Sequence, residues 1–280
     1  MTRDLPNLDE RADALLPPAG DATPFTLGPE TGRPVLILHG LTGTPWEVRP
    51  IGARLAQEGY RCSGPLLAGH ESYEALRASA WGEWAASSER HLRALSVDGP
   101  IAVIGFSMGA LLALRLAATF PGRVEALVCM GTPLVLSAYQ RWGIRALGHL
   151  ARVPALDGLT SRIAKPSRTD CSIPSVAKQY PGFDAFPRTS LVELLRLQAA
   201  VRPLLPKIGC PTMLIHGRQD HSAPVSNVQY AVKRMTRSAT TMTVLSRSFH
   251  QIAWDVDAEE CASSISDFIL TNYPQLETTP

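Results

Sequence analysis

IAVIGFSMGALLALRLAATF, residues 101–120, is the stretch that decides how this chain folds. An apolar, partly β-branched run ends abruptly in Gly105-Phe106-Ser107-Met108-Gly109, and a small-residue helical pattern starts at once. A short continuous apolar run bounded by glycine reads as a strand buried on both faces. One serine therefore stands at the joint of a buried strand and a buried helix. A turn this tight forces the central backbone into an unfavourable region and brings neighbouring segments together. Gly105 and Gly109 remove the side chains that would clash there, and the Ser107 hydroxyl is held at a helix N-terminus, where the dipole favours negative charge. The pattern reads as a nucleophile's turn; its alternative is an ordinary tight turn.

Outward from this joint the same rhythm recurs. RPVLILHG (33–40) predicts a second buried strand, YRCSGPL (60–66) a short one, and VEALVCMGTP (124–133), PTMLIHG (211–217) and TTMTVLS (240–246) three more. PFTLG (24–28) fits a short edge strand. Helical spacing covers 48–60, which stops at Gly59, then 73–95, with Trp81 and Trp84 on one face, and 257–273. Strands alternating with helices imply crossover units: an α/β fold with a mostly parallel central sheet and helices on both faces. Residues 134–206 break the rhythm. They are proline-punctuated and irregularly helical, and a connection of that length predicts an inserted helical cap. The expected organisation is a leader at 1–23, an α/β core at 24–133 and 207–280, and the cap at 134–206.

Composition narrows the function classes. Of 280 residues 45% are hydrophobic, enough for a well-covered core, and the net charge of +2 comes from interspersed signs without a Lys/Arg run. That disfavours nucleic acid as a partner. No stretch approaches the roughly 18 apolar residues of a membrane span, and MTRDLPNLDERADALLPPAG at the start has no apolar segment of the secretory kind. Five scattered cysteines, Cys62, Cys129, Cys171, Cys210 and Cys261, never form a CxxC pair. They fit reduced thiols, so a cytoplasmic protein without metal or organic cofactor is expected.

A serine hydroxyl is a weak nucleophile at neutral pH and needs a base, which needs an orienting acid. With the order Ser, acid, His that such a turn carries, His216, His221 and His250 come late enough. His216 lies inside a strand-and-turn unit ahead of Asp220, and His221 adjoins Asp220 too closely to reach Ser107 while being oriented by it. His250 follows the last strand at a sheet end and is the base of choice. Asp220, directly after PTMLIHG, is the acid; its alternative role is an N-cap for the segment near Pro224. Asp255 and Asp257 look placed to start the last helix. The developing oxyanion needs donors: the backbone N–H of Met108 is one, and that of Leu41, in HGLTGTP, the other. His39 and His70 read as structural loop residues.

Together these residues resemble the α/β-hydrolase superfamily, and within it the bacterial carboxylesterase and monoacylglycerol-lipase group. The resemblance rests on VLILHGLTGTPWEVRPIGARLAQEGY (35–60), LLAGHESYEALRASAWGEWAASSERHL (66–92), IAVIGFSMGALLALRLA (101–117), LLPKIGCPTMLIHGRQDHSAP (204–224) and LSRSFHQIAWDVDAEECASSISDFI (245–269). It implies Ser107 as nucleophile, Asp220 as acid, His250 as base, Leu41 and Met108 as oxyanion hole, and an acyl pocket under 134–206. The implied reaction is hydrolysis of short- to medium-chain carboxylic esters, monoacylglycerols among them, by a monomer or homodimer through an acyl-enzyme. A thioesterase or carbon–carbon bond hydrolase would use the same residues. A dehalogenase of this fold would need a carboxylate in place of Ser107. One departure stands out: the group's Ser-Gly-His before the base is Ser248-Phe249-His250 here. A phenylalanine cannot cheaply take a glycine-only conformation, which predicts a rearranged base loop or a ring in the pocket. It also leaves open a ligand-binding protein with an impaired triad.

Overall fold

The computed structural model describes residues 20–150 and 161–275, so the expected leader at 1–23 falls almost wholly outside the described residues. The central strands are β1 (Phe25–Leu27), β2 (Pro34–Leu38), β3 (Arg61–Gly64), β4 (Ile101–Phe106) and β5 (Val124–Met130). Two strands of the inserted segment follow, β6 (Arg162–Ala164) and β7 (Ala185–Pro187), and then β8 (Thr212–Gly217) and β9 (Thr240–Leu245). Seven of them form one sheet in the order β1-β3-β2-β4-β5-β8-β9. Every neighbouring pair is parallel except β1 on β3 at the edge, where Phe25 faces Gly64.

Period-two alternation sorts the central strands onto two cores. Leu36, Leu38 and Val103 join one apolar cluster, while Val35, Ile37, Ala102, Ile104 and Phe106 join the other. The helices that cover the faces explain why both sides can be apolar. On the first face lie α3 (Trp81–Leu95), α4 (Met108–Thr119), with ten of its twelve residues buried, as a helix apolar all round must be, and α8 (Ser226–Val232), through Val228 and Ala231. The other face is covered by α1 (Arg49–Gln57) and the last helix, α9 (Ala258–Asn272), through Ile51, Leu55, Ile265 and Ile269.

The 73–95 pattern divides into two helices, α2 (Tyr73–Ala78) and α3. Ser79 turns the chain into extended backbone, its hydroxyl donating to Leu76 O at 3.0 Å and accepting from Trp84 Nε1 at 2.8 Å. A serine that hydrogen-bonds locally offers the backbone an alternative to helix, and here it takes it. Trp84 is fully buried, and Trp81 packs partly buried against the same cluster.

Between β5 and β8 the chain leaves the sheet and returns in register, with Leu127 opposite Thr212. The excursion carries α5 (Ala138–Leu150), the antiparallel pair β6–β7, α6 (Pro174–Gln179), α7 (Arg188–Val201) and a 3₁₀ turn over Arg202–Lys207. Its end is welded to the core: Leu194, Leu197, Val201 and Leu205 sit in the cluster that holds α4. No helix among the described residues is long and apolar enough to cross a membrane. The carboxyl ends of β2, β4, β8 and β9 all open on one edge of the sheet, and the loops there converge.

Candidate active site

Ser107 takes φ 54° and ψ −117°, one of two non-glycine residues in the left-handed region among those described. Such a conformation costs of order 1–3 kcal/mol and persists only when its surroundings enforce it. Here the surroundings are backbone. A Cβ on Gly105 would lie 2.3 Å from Gly109 O, and one on Gly109 would lie 2.2 Å from Leu38 O. The two glycines thus let α4 cross β4 and the end of β2 closely enough to hold the turn. Ser107 N donates to Met130 O at 2.8 Å, tying the turn to β5 as well.

The loops after β8 and β9 bring Asp220 and His250 to this serine. His250 Nε2 lies 2.9 Å from Ser107 Oγ, and His250 Nδ1 lies 2.7 Å from Asp220 Oδ2. An ionised carboxylate only accepts, so Nδ1 carries the proton and the Nε2 lone pair faces the hydroxyl. The Asp220 side chain is fully buried. Its Oδ1 accepts from Ser222 N at 2.8 Å and Ala223 N at 2.7 Å. Asp220 therefore holds its own loop with one oxygen and faces the histidine with the other; it does not N-cap the helix beyond Pro224, which begins at Ser226 with Val225 at the cap position and no side-chain cap. Burial pushes its carboxyl upward, but the His250 charge and hydrogen bonds from His216 and His250 prevail and hold it well below the usual range. For His250 burial acts downward, and the Asp220 charge and hydrogen bond outweigh it, raising the imidazole above its ordinary value.

The remaining sequence candidates lie in or beneath the turns beside Ser107. Met108 opens α4, so its N–H belongs to the first turn, which has no acceptor within the helix. Leu41 follows Gly40 in the turn after β2. A Cβ on Gly40 would approach Ser107 Cβ to 3.3 Å, so this turn lies directly beside the serine. His39 is buried beneath the turn, donating from Nδ1 to Gly40 O at 2.9 Å and accepting from Leu67 N at Nε2 at 3.0 Å. His70 meets it edge-on.

Phe249 does not take a glycine-only conformation: among the described non-glycine residues only Thr42 and Ser107 have φ in the left-handed region. Its N–H donates to Asp255 Oδ2 at 2.7 Å and its ring lies edge-on to His221, centroids 5.0 Å apart. The loop ahead of His250 thus accommodates phenylalanine without a positive φ. Asp255 and Asp257 have more to do than start α9. Asp257 Oδ2 accepts from Arg247 N at 2.8 Å and Ser248 N at 3.0 Å, so the two carboxylates hold three successive amides ahead of His250.

Three further residues join the site: His216, weighed in the sequence only as a base, and Asp170 and Glu47, which carried no sequence signal. His216 Nε2 lies 2.9 Å from the same Asp220 Oδ2 that receives His250, and 3.1 Å from Ala223 O. Its signal was the four-residue spacing to Asp220 across a strand end. Asp170, from the inserted segment, accepts from His221 N, Ser222 N and Ser222 Oγ, and its carbonyl accepts from Gln251 N. Glu47 is buried behind Gly40, and a lone acid in an apolar stretch carried no motif.

A model of the α/β hydrolase fold matches residues 33–255. The chain belongs to the α/β-hydrolase family. A thermostable monoacylglycerol lipase of Bacillus sp. (strain H-257) is 29% identical over 228 residues, covering 80% of this chain and 84% of that one. A carboxylesterase of Bacillus subtilis (strain 168) is 22% identical over 241 residues, covering 85% and 92%. Among solved structures, one from work on the metagenome-derived lipolytic enzymes LipS and LipT superposes with a TM-score of 0.79 at 25% identity, covering 89% of this hydrolase and 98% of that chain. A monoacylglycerol lipase of Paleococcus ferrophilus shares the fold at a TM-score of 0.75 and 16% identity.

Proposed function

We propose that this α/β hydrolase is a serine esterase of short- to medium-chain carboxylic esters, monoacylglycerols among them. The observation that carries the reading is the relay Ser107 Oγ–His250–Asp220, with links of 2.9 and 2.7 Å. Relatives named lipase and carboxylesterase support the substrate class.

In this reading Ser107 Oγ attacks the ester carbonyl carbon while His250 Nε2 takes its proton. The oxyanion is received by the N–H groups of Leu41 and Met108, and Asp220 stabilises the imidazolium. Collapse of the tetrahedral intermediate breaks the carbon–oxygen bond, and His250 returns the proton to the departing alcohol. Water then attacks the acyl-enzyme, giving its proton to His250, and the second collapse releases the carboxylic acid and restores the Ser107 hydroxyl. No step calls for a metal or an organic cofactor. Residues 134–206 serve as the cap that shapes the acyl pocket.

The test is hydrolysis of p-nitrophenyl esters from acetyl to dodecanoyl by the wild type and by Ser107→Ala. A chain-length optimum that vanishes in the variant supports the reading. A folded wild type that turns over none of them rejects it.

A further inference from the structure

The turn that carries Leu41 is strained, and segments beyond its own strand help to hold it. Thr42, a β-branched residue, has φ 61°, a region such side chains rarely adopt. Two groups outside the turn restrain it. Glu47, in the 3₁₀ turn over Pro45–Val48, accepts from Gly40 N at Oε2, 2.7 Å away. From the inserted segment, Phe183 N donates to Thr42 O at 2.9 Å. The two restraints meet in one residue: Tyr180 OH donates to Glu47 Oε1 at 2.8 Å and lies 3.5 Å from Thr42 O. There is no slack between these segments. A Cβ on Gly182 would lie 2.5 Å from Thr42 O, and one on Gly43 would overlap the Glu47 carboxylate.

The acid is buried at 4% exposure, where an unpaired carboxylate is costly. Its partners are the Gly40 amide and the Tyr180 hydroxyl, with Lys165 above the Tyr180 ring at 5.3 Å. Burial pushes the Glu47 carboxyl up and the Lys165 amine down to about 8, while each charge opposes that movement in the other. A group with so little solvent and such specific donors fixes positions. Trp46 stacks on Trp254 at 4.2 Å and meets Tyr180 edge-on, closing the cluster against the loop that follows His250.

We propose that Glu47 is a positioning residue for the oxyanion hole, and that Tyr180 couples it to the inserted segment, so that seating of that segment sets the direction of the Leu41 N–H. The proposal rests on the serine-esterase reading and adds to it a residue outside the triad and outside the hole itself. Glu47 touches no reacting atom in this scheme. It acts through Gly40, the residue immediately before Leu41.

The experiment compares Glu47→Leu, Glu47→Gln and Tyr180→Phe with the wild type in the full chain. It measures kcat and KM on p-nitrophenyl butyrate, inhibition by an alkylboronic acid, and amide hydrogen exchange over residues 39–48. The boronate forms a tetrahedral adduct on Ser107 with an oxygen in the hole, so its affinity reports the hole and not the general fold. Glu47→Leu is expected to lower kcat about 10- to 100-fold, the range for a misplaced oxyanion donor, with KM changed less than about threefold. Boronate affinity should fall in parallel with kcat/KM, and exchange at 39–48 should quicken. Glu47→Gln keeps an oxygen for Gly40 N–H and should stay within about fivefold of wild type. If Glu47→Leu does not fold, Tyr180→Phe decides alone, with a parallel loss in kcat and boronate affinity expected. An active wild type whose Glu47→Leu or Tyr180→Phe variants keep full kcat and boronate affinity overturns the proposal alone. So does a loss in Glu47→Gln equal to that in Glu47→Leu. A folded wild type that neither turns over ester nor binds boronate overturns the esterase reading, and the proposal with it.

Discussion

Replacing Asp220 with asparagine exchanges one carboxylate oxygen for an amide nitrogen of nearly the same size. The structure dictates which oxygen is lost. Oδ1 accepts from two backbone amides, Ser222 N and Ala223 N, so the amide oxygen of the variant stays there. The NH₂ group then points at His250 Nδ1 and His216 Nε2, which lie 2.7 and 2.9 Å from the original Oδ2. Donor would face donor twice. Turning the amide over only moves the conflict to the two backbone N–H groups. His250 escapes by moving its proton to Nε2, which leaves no lone pair for the Ser107 hydroxyl. A base fixed in the wrong tautomer loses about 10⁴-fold in kcat, or roughly 5.5 kcal/mol of transition-state stabilisation. The assay is p-nitrophenyl butyrate turnover beside fluorophosphonate labelling of Ser107, with folding checked by circular dichroism. Both rates are expected to collapse together. A folded Asp220→Asn that keeps more than about a tenth of either rate would refute the tautomer argument.

Four other outcomes follow from the same contacts. Because Asp220 raises His250 above its ordinary value, the neutral base disappears as pH falls through that raised value. The acid limb of the kcat/KM profile is therefore expected with its midpoint above about 6.5, and a midpoint below that contradicts it. Gly105→Ala places a Cβ 2.3 Å from Gly109 O, with backbone on both sides, and should cost about 3 kcal/mol or more in urea unfolding. His216→Ala removes one donor from the buried Asp220 Oδ2 and should lower stability by about 1–3 kcal/mol, with kcat reduced beyond the loss of folded protein. Phe249→Gly should leave kcat/KM within about fivefold, at a backbone cost of about 0.5–1 kcal/mol, since the native φ is one that phenylalanine takes without strain.

How much of this was legible depended on the range of the signal. The buried strands were readable because both faces are covered, so RPVLILHG and PIAVIGFS carry apolar runs that no surface segment would. Gly105 and Gly109 were readable because the close crossing of α4 and β4 leaves no room for any other residue. Asp220 and His250 followed from chain order and sheet-end placement, although their convergence on Ser107 is a tertiary fact. The break at Ser79 was hidden, because one hydroxyl accepting from Trp84 Nε1 decided it against a sound helical period. Asp170 and Glu47 were hidden because their partners are tertiary, whereas His216 was weighed as a base and its role as a second partner of Asp220 was missed. Asp170 and Glu47 act through partners distant in sequence: Asp170 binds the loop of Asp220, and Glu47 meets Tyr180, 133 residues away. The anchors of the loop before His250 were hidden as well. Phe249 stands where the resembled group has glycine, and Asp255 and Asp257 hold its loop in a conformation without positive φ.

The most direct test of the central claim is to trap the acyl-enzyme. Wild type mixed with p-nitrophenyl butyrate, quenched in acid within the first turnovers and digested, should yield a butyryl group on the peptide that contains Ser107. The adduct should be absent from Ser107→Ala, which should also lose turnover. An adduct on another residue, or ester hydrolysis undiminished in Ser107→Ala, would contradict the account.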